Sequence, residues 1–67
     1  MPIIQVSLVQ GRTPEQLRAL IHGLTKTASE TIGAPVETVR VVITEVPPTH
    51  WGSGHQTIAE KRGDGSA

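Results

Sequence analysis

The sequence contains no cysteine, no phenylalanine and no tyrosine, and it has one tryptophan. Without cysteine there can be no disulfide and no thiolate metal site. The three histidines, His22, His50 and His55, have no cysteine partners and do not pair as zinc ligands on one helical face, so a structural metal is not expected. Charge of one sign is also lacking: six Lys/Arg balance six Asp/Glu. No surplus cation is left to neutralise phosphates, and a single aromatic ring offers bases no stacking platform, which argues against a nucleic-acid partner. No apolar run approaches the roughly 20 residues needed to span a bilayer. The N-terminus lacks a basic segment followed by an apolar stretch and a cleavage site. The expectation is a soluble, cytoplasmic protein with no membrane partner.

A chain of 67 residues is one domain at most. A domain this short buries only about 60% of the surface its unfolded form exposes. Scaffolds of this size compensate with disulfides, a structural metal or oligomerisation, because one small core rarely supplies more than about 3–5 kcal/mol. The first two routes are closed, so the composition predicts an oligomer.

What is present is strongly patterned. From Ile3 to Val9, Ile4, Val6 and Leu8 fall on one face and Gln5 and Ser7 on the other, the alternation of a β-strand. Thr13-Pro14-Glu15-Gln16 is a helix start in which Thr13 caps, Pro14 takes the first helical position and Gln16 completes a capping box. Apolar residues at Leu17, Leu20, Ile21, Leu24, Ala28 and Ile32 form one helical stripe, and Gly33 followed by Pro35 ends it. The helix is therefore expected over Pro14–Ile32. A second strand is expected over Val39–Val46, with Val39, Val41 and Ile43 on one face and Arg40, Val42 and Thr44 on the other. Pro47-Pro48 stops it.

A helix between two strands predicts a parallel pair in a βαβ crossover, an α/β fold. One helix covers one sheet face. The other face carries Ile3, Val9, Val42 and Val46 and needs a second chain, since two strands alone are not stable. The turn-rich segment Thr49–His55 leads to Gln56-Thr57-Ile58, which reads as a short terminal strand or hairpin arm pairing in another subunit. The domain is expected to end at residue 60, and 61–67, polar and rich in Gly and Ser, reads as a flexible tail.

Few residues here can carry chemistry. Removal of Met1 would leave Pro2 as a secondary amine at the start of a strand, although proline is also tolerated there for purely structural reasons. To act as a base it must be neutral near pH 7, whereas an ordinary α-amino group titrates near roughly 7.7–8.0. Apolar walls and nearby arginines would both disfavour its protonated form. Arg12 lies in the loop after the first strand, where a solvated loop arginine is the bland reading. Arg40 stands inside an apolar strand, where a guanidinium needs an acceptor such as Glu37 or Glu45 across a subunit contact. Trp51 lies in a Gly-rich turn, outside the helix–sheet core, and either plugs an interface or walls a pocket. His50 and His55 flank that turn with no nucleophile spaced to use them and read as structural or exposed.

Met-Pro-Ile-Ile at the start, Leu-Val-Gln-Gly-Arg-Thr-Pro-Glu-Gln over 8–16, Ala-Pro at 34–35, Val-Arg-Val-Val-Ile-Thr-Glu over 39–45 and His-Trp-Gly-x-Gly over 50–54 together resemble the 4-oxalocrotonate tautomerase family. The resemblance implies a βαβ subunit assembled as a homohexamer, a trimer of dimers, with sites shared between chains. It implies an isomerase that needs no cofactor and no metal. Its substrate would be a small enol or keto acid, such as a 2-hydroxydienoate. Pro2 would move the proton between the enol and its α,β-unsaturated ketone. Arg12 would hold the distal carboxylate, and Arg40 the carboxylate and oxygen near the enol. Leu8 would line the pocket. Trp51 stands where the family usually has a phenylalanine that shields the site, and Gly54-His55 where the degradative enzymes tend to have Gly-Gly. These departures, with Pro47-Pro48, look more like homologues from specialised-metabolite pathways. The alternatives are hydration or dehalogenation of a small unsaturated acid, which would need a carboxylate to activate water, and a non-catalytic ring subunit.

Overall fold

In a computed structural model, which describes residues 1–63, Ile3–Val9 forms strand β1. Helix α1 spans Pro14–Ile32. It begins where its backbone donors find side-chain acceptors: the Gln16 N–H donates to Thr13 Oγ1 at 3.1 Å, and the Thr13 N–H donates to Gln16 Oε1 at 2.9 Å. It ends at Gly33, whose φ of 72° is left-handed and whose N–H donates to the Ser29 carbonyl at 2.9 Å. The second strand, β2, covers Arg40–Val46 and pairs with β1 in parallel, from Ile3 beside Arg40 to Val9 beside Val46. A 3-10 turn over Val36–Thr38, which periodicity does not disclose, precedes β2, so the strand starts one residue later than expected.

Burial alternates along both strands. Ile4, Val6 and Leu8 with Val41 and Ile43 are half-buried on the face covered by α1, through Leu17, Leu20, Leu24 and Ala28. Ile21 and Ile32, expected in the same stripe, are exposed, Ile32 by 63%. Two strands make a sheet too narrow to cover the flank of the helix where Ile21 lies, and Ile32 sits in its last turn.

The opposite sheet face is open, with Ile3 64% and Val42 49% exposed. Among the described residues only Val39, at 8%, counts as buried. The Cα radius of gyration is 15.3 Å, against about 11 Å for a compact chain of this length. The described residues thus bury almost nothing within one chain, and the chain is longer than its mass requires.

The remainder is an arm. A second 3-10 turn, Pro48–His50, leads to a hairpin of β3 (Gly52–Ser53) and β4 (Gln56–Thr57), antiparallel, turned by Gly54 at φ 66°. A hairpin is present as expected, but its strand pairs with Gly52–Ser53 of the same chain in place of the expected partner in another subunit, and the segment after it differs too, since Ile58 opens a helix. A short helix α2 spans Ile58–Gly63, so the boundary at 60 falls inside a helix. Its cause is a second capping box: the Glu60 N–H donates to Thr57 Oγ1 at 3.1 Å and the Thr57 N–H to Glu60 Oε1 at 2.7 Å. Lys61 and Arg62 in the last turn complement the helix dipole. The rest of the expected tail, 64–67, lies outside the described residues. No helix among the described residues is long and apolar enough to cross a membrane.

Candidate functional site

Each end of the two-stranded sheet holds part of the expected site. At the N-terminal end the Arg40 N–H donates to the Pro2 carbonyl at 3.0 Å, which extends the parallel ladder by one bond and fixes Pro2 beside Arg40. Met1 is 86% exposed. The Arg40 side chain turns back along the chain, and its Nη1 donates to the Glu37 carbonyl at 2.7 Å. The acceptor that a guanidinium in an apolar strand requires is thus a backbone oxygen of the 3-10 turn; neither the Glu37 nor the Glu45 carboxylate is the acceptor within the chain.

At the C-terminal end the Gln10 N–H donates to the Val46 carbonyl at 2.8 Å and closes the ladder. Gly11, at φ 140°, redirects the chain, and Arg12 Nη1 donates to the Val9 carbonyl at 3.0 Å. Trp51 follows the second 3-10 turn, half-buried within the arm, where its carbonyl accepts from the Ile58 N–H at 2.9 Å. His50 and His55 are exposed, in line with the structural or exposed reading.

The structure therefore brings Pro2 and Arg40 together and keeps Arg12 apart from them. Six steps along β1 at roughly 3.3 Å each put about 20 Å between the two ends. Both guanidiniums are tied at their own ends, so neither reaches toward the other. Leu8 is not brought to the open face. It lies in the helix–sheet layer with Ile4 and Val6, and Val9 is the residue at that end of β1 facing the open side. The alternation of the sequence carries this information.

A shallow depression of about 170 Å³ lies between α1 and the first 3-10 turn, lined by His22, Thr25, Lys26, Ser29, Glu30 and Val36. None of the expected site residues lines it. The described residues contain no cluster of three or more His, Asp or Glu placed to hold a metal ion.

Comparison with known proteins agrees with this architecture. Residues 2–61 match the Tautomerase family, described as tautomerase enzyme. A probable tautomerase of Ralstonia nicotianae is 60% identical over 52 residues, 78% of this chain and 74% of that protein. A 2-hydroxymuconate tautomerase of a Pseudomonas species is 40% identical over 62 residues, 92% of this chain and 98% of its own. Among solved structures, TomN, a 4-oxalocrotonate tautomerase homologue in the tomaymycin biosynthetic pathway, superposes with a TM-score of 0.89 at 48% identity, covering 91% of this chain and 94% of its own. A heterohexamer 4-oxalocrotonate tautomerase from Chloroflexus aurantiacus gives 0.86 at 37% identity, covering 90% and 97%. The match over nearly the whole chain, on the βαβ frame and hairpin described above, establishes that the protein belongs to the tautomerase family.

Proposed function

We propose that the chain is a cofactor-independent enol–keto isomerase acting on a 2-hydroxydienoate or a related unsaturated keto acid, in a ring of six copies. Pro2 is its acid and base. With Met1 removed, the neutral Pro2 amine takes the proton of the enol hydroxyl. The electron pair moves through the conjugated system as the ketone forms, and the protonated amine returns a proton to the distal carbon. Arg40, held beside Pro2, binds the near carboxylate and stabilises charge developing on the enol oxygen. Arg12 takes the distal carboxylate.

The observation that carries the oligomeric part of this reading is the separation of the two arginines. Six carbons joined by bonds of about 1.5 Å span less than about 8 Å. One such molecule is short beside the roughly 20 Å of β1 that separates the backbone positions of Arg12 and Arg40 in one chain, and each guanidinium is tied at its own end, which favours an Arg12 supplied by a neighbouring copy. The open sheet face, the missing core and the arm supply the surfaces for that contact. Val9, not Leu8, faces the same open side, and Trp51 walls the pocket from the arm of another copy. The larger indole at this position, together with the likeness to TomN, favours a physiological substrate from specialised metabolism. The relatives named above are tautomerases, and they lend no support to hydration, dehalogenation or a non-catalytic ring.

The test is ketonisation of 2-hydroxymuconate followed by ultraviolet absorbance, with protein whose intact mass shows Met1 removed. Turnover that Pro2→Ala abolishes while the oligomer persists is the expected result. A folded oligomer that leaves the absorbance unchanged would overturn the assignment of this substrate class.

A further inference from the structure

The direction of the Arg40 guanidinium depends on a short segment that hydrogen bonds clamp three times. Ser29, part-buried near the end of α1, holds the chain leaving the helix with two groups. Its carbonyl accepts from the Gly33 N–H at 2.9 Å, and its hydroxyl donates to the Ala34 carbonyl at 2.6 Å. Next, the Thr38 N–H and hydroxyl both donate to the Pro35 carbonyl, at 3.0 and 2.7 Å, and close the 3-10 turn. Val39, the most buried of the described residues, follows as a fixed point. Arg40 Nη1 then reaches back to the Glu37 carbonyl inside this clamped segment, at 2.7 Å.

The Ser29 hydroxyl is not needed by the helix. Serine is a poorer helix former than alanine, and within a helix its hydroxyl ordinarily bonds back to a carbonyl of the preceding turn. Here it bonds forward, five residues on, to the loop. We infer that Ser29 is a positioning residue for Arg40: its hydroxyl sets the path of residues 34–38, and with it the Glu37 carbonyl to which the guanidinium is tied. The inference rests on the reading of Arg40 as the group that binds the near carboxylate, and its structural part can be measured without that reading.

A merely structural serine would leave Arg40 unaffected when replaced by alanine, the better helix former. The experiment uses the full-length oligomer with Met1 removed, as wild type, Ser29→Ala and Ser29→Thr. The readouts are kinetics on 2-hydroxymuconate and the 15N side-chain resonance of Arg40, identified by its loss in Arg40→Lys. Ser29→Ala should lower kcat about tenfold with a smaller change in KM, less than the roughly 10²-fold loss that a 1 Å misplacement can bring. The Arg40 resonance should move toward that of a free guanidinium, and Ser29→Thr, which keeps the hydroxyl, should restore both. An unchanged Arg40 resonance in folded Ser29→Ala would overturn the inference. Absence of turnover in the wild type would count against the proposed function, while the resonance would still decide the link from Ser29 to Arg40. If Ser29→Ala does not fold, Thr38→Val breaks the next clamp and is read in the same way.

Discussion

The two ends of the β1–β2 sheet hold their arginines by different means. Arg40 lies in the strand ladder, its N–H on Pro2 and its guanidinium on Glu37, next to the most buried of the described residues. Arg12 lies outside the ladder, just past a glycine at φ 140°, exposed, with one bond to Val9. Trp51, which follows the strand ladder at the same end, sits on an arm whose main contacts are among its own turn, hairpin and helix. On the proposed reading, the end that performs the proton transfer is rigid and the end that selects the distal half of the substrate is adaptable. Preorganised donors act where charge develops, whereas loops on a rigid scaffold tolerate change and tune binding.

The largest effect should come from the rigid end. An N-terminal extension that prevents removal of Met1 keeps the Pro2 nitrogen an amide, without a lone pair for the proton. The expected loss in kcat is about 10²–10⁴-fold, the contribution of a positioned acid or base, with circular dichroism and oligomer size unchanged. The pH profile gives the sign independently. Since the neutral amine is the active form, kcat/KM in the wild type should rise with pH through the titration of the Pro2 amine, and that limb should be missing in the extended protein. Full activity in a chain whose mass retains Met1 would remove Pro2 from the mechanism.

Next in size is the contrast between the arginines themselves. Arg40→Gln removes a donor aimed at the developing oxyanion, and kcat should fall by about 10²–10³-fold. Arg12→Gln should raise KM about tenfold and leave kcat within a few-fold, since binding shared by ground and transition states appears in KM. Mixing the two impaired variants, assayed at substrate well below KM, sharpens the comparison. If Arg12 and Arg40 of one site come from different chains, co-assembled Arg40→Gln and Arg12→Gln subunits form some sites with both arginines intact, and activity above that of either parent should appear. Equal effects of the two substitutions, or no complementation in a mixed ring, would break the division between the ends.

How much of this was legible follows from the period and length of each element. β1 and α1 could be bounded to the residue, because an alternating run ends at a capping box and a helical stripe ends at Gly33. β2 was legible to within one residue. The turn over Val36–Thr38 and helix α2 are too short to show a period, although Thr57-Ile58-Ala59-Glu60 carries the capping pattern that starts α2. Pro2, Arg12, Arg40 and Trp51 stood out as residue types in unexpected places. Leu8 did not, and the alternation that groups it with Ile4 and Val6 describes its place in the structure. What holds Arg40 was not legible either, since a backbone carbonyl acceptor such as that of Glu37 depends on the chain path and leaves no mark on residue identity.

The smallest effect concerns what holds the arm. Thr13 and Thr57 make the same capping box, one on a helix of 19 residues packed against its own sheet, the other on a helix of six whose main contacts are with the arm. Replacing either by alanine costs about 1 kcal/mol. The consequences should differ in kind. A helix of six residues does not persist by propensity alone, so on the proposed reading α2 depends on its cap and on the neighbouring chain that the arm covers. Thr57→Ala should therefore weaken association, and mass action makes such a loss larger as the protein is diluted. Thr13→Ala should lower the thermal midpoint by an amount independent of concentration. Thermal unfolding followed by the fluorescence of Trp51 over a hundredfold range of protein concentration separates the two. Parallel shifts in both variants would mean that the arm contributes nothing to the contact between chains, and Trp51 would then have no route to a neighbour's Pro2.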